Sequence, residues 1–242
     1  MWFLLVSAAF AFDNGPYQQV LDTYVNDAGR VDYAGIKANH ALDTYLASLV
    51  NAEEPSARAD RMAFWINAYN ALTLDLVADN FPLASIRDLD GGKVWETRKF
   101  RVAGRDVTLN TIENQIVRPL ADVRVHAALN CASVGCPPLG KTALSGAQIE
   151  SQLTTAAKRW VGTNGVVIDS VNKSVKLSQI FDWYGGDFTG GKSYVNIPGF
   201  DGKQEAILDF VSRYLPEEQS NFIKQGGYKL SFAEYDWAVN KQ

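Results

Sequence analysis

Residues 60–81 hold an apolar run that is too long for a strand and is spaced for a helix. Phe64, Trp65, Ala68, Leu72 and Leu76 recur at helical intervals until Asn80 and Pro82 stop it. A helix that is apolar around most of its surface must be buried, so the remaining elements have to be arranged around this one. The same run carries Asn67 and Asn70, three positions apart and therefore on one face. Buried amides need hydrogen-bond partners, so the pair either tethers a neighbouring loop or supports a binding site.

Shorter elements flank this helix. Apolar periodicity predicts helices over residues 17–25 (opened by Pro16), 40–50, 145–160 (capped by Ser145) and 205–215, the last of the chain. A further helix, capped by Thr108 or Asn110, is expected to end before Pro119. His40 reads as a surface residue. Residues 99–107 read as a β-hairpin around a glycine turn, and 165–168 and 174–177 as two strands joined through Asn172 at positive φ. The apolar run 123–129 reads as a buried strand. No repeat, low-complexity tract or linker divides these pieces, so residues 12–242 are expected to form one α+β domain, helix-rich and packed on a small, mostly antiparallel sheet.

Residues 1–11 carry no charged side chain and end in Ala9-Phe10-Ala11, the small-residue pattern of a signal-peptide cleavage site. An exported protein, periplasmic or extracellular, is expected. No later stretch approaches the roughly 18 apolar residues that a membrane span needs. The formal net charge is −4 and the Lys and Arg residues are scattered, which gives no electrostatic footprint for nucleic acid.

Chemistry concentrates between His126 and Pro138, where one histidine and both cysteines of the chain share thirteen residues. A thiol is a useful nucleophile only as the thiolate, so it needs a base or a helix N-terminus beside it. With Asn130 as cap, Cys131 would fall in the first turn of a helix, with His126 on the preceding strand as base and Glu113 orienting the imidazole. The N–H of Cys131 or Ala132 would serve the oxyanion. Asn67, Asn70, Asn130, Ser133, Trp183 and Tyr184 are the candidate substrate contacts. These assignments describe a thiol-dependent hydrolase or acyl transferase acting on an amide, peptide or thioester of a small molecule or peptide. The same residues admit a second reading, a non-catalytic ligand-binding domain pinned by a Cys131–Cys136 disulfide. No fourth Cys or His stands at metal-ligand spacing, so neither a metal nor a cofactor is expected.

Four separated motifs add a resemblance. The run from Phe64 to Asn70, His126 through Pro138, Phe181-Asp182-Trp183-Tyr184 with Asp187-Phe188, and Tyr235-Asp236-Trp237 with Asn240 together resemble the family known as domain of unknown function 547, over about 31–240. The resemblance implies a fold and leaves the activity open. It also implies a histidine after Ile112-Glu113, where this chain has Asn114. By analogy of fold, the arrangement is similar to papain-like and transglutaminase-like thiol enzymes, in which the cysteine opens a helix packed on the sheet that carries the histidine.

Overall fold

A computed structural model describes residues 12–190 and 194–242. The expected signal peptide lies outside the described residues. Helix α4, Arg58–Asp79, is the long apolar helix predicted above, and it is buried from Met62 to Ala78 except at Asp75. Against it pack α2 (Tyr33–Asn39) and α3 (Asp43–Val50), and α1 (Gly15–Tyr24) packs on those two. The periodicity predicted α3, over 40–50, but not α2. In the structure His40 closes α2 in the left-handed conformation (φ 48°), and α3 begins three residues later. His40 is exposed, as read from the sequence.

The hairpin is formed by β1 (Phe100–Val102) and β2 (Arg105–Val107), paired Val102 to Arg105 across Ala103 and Gly104. Both turn residues have positive φ, 50° and 71°, the geometry a two-residue hairpin turn requires. Thr108 then caps the next helical segment, its side chain accepting from the N–H of Thr111 at 3.1 Å. This segment does not stop before Pro119. It widens into a π-helix over Ile112–Val117 and tightens into a 3₁₀ turn over Arg118–Leu120, where proline at the start of a turn loses no intrahelical bond.

The run 123–129 is not a strand. Val123–Ala127 is a 3₁₀ helix, opened by Asp122, whose carboxylate accepts from the N–H of Arg124 at 3.0 Å. A short run buried on all sides satisfies either conformation, and here the Asp122 cap decides for the helical one. Its residues turn alternately into two cores. Val125 and Leu129 join the core around α4, whereas Ala127 joins a second core built on Trp160, Phe181, Phe188 and Phe210. His126 therefore sits at the junction.

The second core is covered by a three-stranded sheet. Strands β3 (Val166–Asp169) and β4 (Ser174–Leu177) are antiparallel, and β5 (Lys229–Phe232), which the sequence did not announce, lies parallel to β4. In the β3–β4 turn it is Lys173 (φ 48°), not Asn172, that takes the left-handed conformation; Asn172 instead binds Asp169 through its N–H and its side-chain amide. Ser145 makes no side-chain cap. Its N–H is held by Gln152, and the α-helix proper runs Ile149–Trp160 after a 3₁₀ turn at Gly146–Gln148. The helix Gly202–Ser212 is followed by another, Glu217–Gln225, whose polar composition hid it. The architecture is α+β, with more helix than strand. Among the described residues no helix is long and apolar enough to cross a membrane.

Candidate active site

The turn that carries the cysteines is fixed by amides and by the C-terminal segment. Asn70 on α4 accepts from the N–H of Asn130 and donates to the carbonyl of Ala128, both at 2.9 Å. Asn130, buried, donates to the carbonyl of Pro137 and accepts from the N–H of Ala132. This holds Ala132 at a φ of 61°, a conformation a β-carbon disfavours and the amide brace maintains. Alongside, Val134 and Gly135 donate to the carbonyls of Ala238 and Asp236, and Asn240 donates to that of Ala132. A β-carbon on Gly135 would lie 2.9 Å from the ring of Tyr235, so glycine is what lets this strap approach. The strap delivers Tyr235 and Trp237 to the cysteines.

No helix begins at Cys131, and no sheet carries His126. The papain-like arrangement is therefore not the one found, because the preceding segment is a 3₁₀ turn and the following one is braced as a loop. Both cysteines are free thiols. The hydroxyl of Tyr235 lies 3.0 Å from each sulfur, and that of Ser133 lies 3.1 Å from Cys131 Sγ and 3.5 Å from Cys136 Sγ. The N–H of Cys131 donates to Cys136 Sγ at 3.0 Å, and that of Ala132 is taken by Asn130. Neither is therefore open to an oxyanion, and the rotatable hydroxyls of Ser133 and Tyr235 are the donors that remain around Cys131.

The two thiols behave as one acid. Burial alone would raise the Cys136 thiol, but hydrogen bonds from the side chains of Cys131, Tyr235 and Ser133 outweigh it and bring it down to about 6. Cys131 is pushed well up, first by the hydrogen bond it gives to Cys136, then by burial and by the neighbouring charge. One proton is thus shared between two sulfurs, with the negative charge resting on Cys136, the sulfur that receives the more favourable hydrogen bonds. Burial, followed by repulsion from both sulfurs, raises Tyr235 as well, so its hydroxyl stays a donor.

Glu113 does not orient His126. The imidazole Nε2 meets Asp187 Oδ2 at 2.8 Å, and Arg118 grips the same carboxylate with two hydrogen bonds of 2.7 and 2.8 Å. Hydrogen bonds first from His126 and then from Arg118 hold Asp187 well below the usual carboxylate range. A carboxylate only accepts, so the Nε2 proton is fixed and Nδ1 is left as the basic nitrogen. The ring of His126 is 3% exposed and stacks on Tyr184 at 4.5 Å. Glu113 instead accepts from the buried hydroxyl of Tyr69 at 3.2 Å. Asn114, at the position where the resemblance implies a histidine, accepts from Arg118.

His126, Glu113, Cys131, Cys136, Tyr184 and Trp183 all line one cavity of about 300 Å³, together with Tyr69, Trp95, Tyr235 and Trp237. Asn67 and Asn70 do not; Asn67 exchanges two hydrogen bonds with the backbone of Leu144, which makes both amides tethers. Nor do Asn130 and Ser133 line it, although the Ser133 hydroxyl reaches Cys131 from behind. A larger cavity of about 670 Å³ is lined by Arg118 and Asp187 but by neither sulfur. Asp187, Tyr235 and Arg118 are the site residues that sequence reasoning missed. The first two stand in motifs quoted above, but nothing in their spacing ties them to His126 or Cys131.

A family model described as "Protein of unknown function, DUF547" matches residues 53–161. Over that stretch the chain is similar to this family. The DUF547 segment takes in α4, Glu113, His126 and both cysteines. Ile180, Trp183, Tyr184, Tyr235 and Trp237 enter the cavity from beyond the matched segment, so five of its fifteen lining residues come from later parts of the chain. No curated protein and no solved structure matches the chain.

Proposed function

We propose that the chain is a thiol-dependent hydrolase or acyl transferase acting on amide, peptide or thioester bonds. The observation that carries this reading is a proton-sharing thiol pair opening into the same cavity as an imidazole whose tautomer is set by a carboxylate. Cys131, half-buried beside the fully covered Cys136, is the sulfur a substrate reaches. As its proton passes to Cys136, Cys131 Sγ forms a bond to the acyl carbon, and the carbonyl electrons move to oxygen, met by the hydroxyls of Tyr235 and Ser133. On collapse the bond to the leaving group breaks, the leaving group takes back the proton held on Cys136, and the thioester on Cys131 remains. Water or an acceptor amine, deprotonated at His126 Nδ1, then releases the acyl group.

No hydrogen bond joins His126 to either sulfur among the described residues, which fits a base that serves the second step rather than the thiol itself. Incubation with an activated thioester, followed by intact-mass and peptide mapping, tests the proposal. An acyl adduct on Cys131 that accumulates in His126→Ala and turns over in the wild-type chain is the expected result. Absence of any adduct, or an adduct on surface nucleophiles alone, overturns it.

A further inference from the structure

We infer that the substrate carries an alkylammonium group, held in the thiol cavity between Glu113 and its aromatic wall. The inference rests on reading this cavity as the substrate site and adds the charge of what enters it. Six rings contribute to the wall: Tyr69, Trp95, Trp183, Tyr184, Tyr235 and Trp237. Aromatic faces attract cations, most strongly where water is excluded. Two of these rings show the preference, with guanidinium groups already seated over them: Arg118 lies 4.9 Å from the centre of Tyr184, and Arg87 the same distance from Trp237.

The charge balance points the same way. Glu113 and Glu96 line the cavity, and no Lys or Arg does. Glu113 is half-buried, its side-chain partners are the neutral hydroxyls of Tyr69 and Tyr184, and it has no ion pair among the described residues. The nearest guanidinium, Arg118, is engaged by both oxygens of Asp187, and Arg87 is exposed and screened by solvent. The thiolate of the pair adds further negative charge to the same space. A half-buried carboxylate with no cation beside it is costly unless its partner arrives from solution. A primary ammonium on a short alkyl chain, as in a lysine side chain or a polyamine, satisfies the carboxylate with its head and the rings with its methylenes.

The test is binding, which is separable from acyl chemistry. The full-length chain with Cys131→Ser and Cys136→Ser is titrated with Nα-acetyl-lysine methylamide and with the norleucine counterpart, following tryptophan fluorescence and calorimetry. The lysine compound is expected to bind roughly tenfold more tightly at low salt, with the advantage shrinking as salt rises. Glu113→Gln, which keeps the shape of the side chain and its contact with Tyr69, should remove most of that preference; a thermal melt confirms that the variant is folded. Equal affinity for the two compounds, no binding of either, or a preference that survives Glu113→Gln overturns the inference. A chain that binds lysine selectively yet forms no acyl adduct would sink the thiol mechanism and leave this assignment standing.

Discussion

Asp187 Oδ2 stands 2.8 Å from His126 Nε2 across 61 positions of sequence, and this contact settles which imidazole nitrogen is basic. Replacing Asp187 with asparagine keeps the volume but allows the amide to accept or to donate, so the tautomer is no longer fixed. The expected outcome is a loss of deacylation of about 10²-fold or more, measured as single-turnover decay of the Cys131 thioester. Thiol alkylation should change little, because neither sulfur is bonded to His126. A variant that deacylates at the wild-type rate would assign this pair to structure alone.

Tyr235 governs the sulfurs in the way that Asp187 governs the imidazole. Its hydroxyl is the one donor within 3.0 Å of both sulfurs, and the charged form of the pair depends on it. With iodoacetamide, wild-type alkylation should rise through a midpoint near pH 6, the value to which Cys136 is brought down. In Tyr235→Phe the lost hydrogen bond should move that midpoint up by about one unit, so that modification at pH 6 slows several-fold. An unshifted profile would mean that Ser133 and the N–H of Cys131 suffice.

How much of this was legible in the sequence depends on the range of the signal. Helix α4 could be read because its own residues specify it: it is long, apolar all round, and stopped by Asn80 and Pro82. The β1–β2 turn was similarly local. The run 123–129 was misread because a short segment buried on all sides has no exposed face to reveal its period, and the one local clue was Asp122 as a cap. The carboxylate that holds His126 is a harder case. Of 27 acidic residues, Glu113 was chosen for its nearness in the chain, whereas Asp187 is brought in by the packing of Phe181 and Phe188 into the second core. Tyr235 arrives in the same way, through backbone bonds between the ends of a strap and a loop about a hundred residues apart. Chain distance carries no information about such contacts.

The amide brace makes a stability prediction. Asn70→Ala leaves the carbonyl of Ala128 and the N–H of Asn130 without their partner on α4, and Asn130 is 3% exposed. Two buried polar groups losing their bonds should cost roughly 2–4 kcal/mol in denaturant unfolding. Because the braced loop carries Cys131, the alkylation profile should broaden in parallel. A loss below about 0.5 kcal/mol would show that the loop relaxes to find other donors and acceptors.

Asp75 gives the chain a pH dependence that is independent of the site. It is half-buried within the otherwise buried stretch of α4, and burial, followed by repulsion from Asp79 and Asp43, raises it from 3.8 to about 6. A carboxyl that binds its proton more tightly when folded stabilises the fold fully at low pH. That contribution is lost as pH rises from about 4 to 6, since the unfolded chain gives up the proton first. Above pH 6 the wild-type protein retains an ionised group that the folded state disfavours. Asp75→Asn removes it, and at pH 7 should gain roughly 1 kcal/mol, the solvent on its exposed side having reduced the full effect. In thermal melts this corresponds to about 2–4 °C. The gain should fade as pH drops toward 4, where both forms are neutral; a variant equally or less stable at pH 7 would show that solvent already compensates the charge.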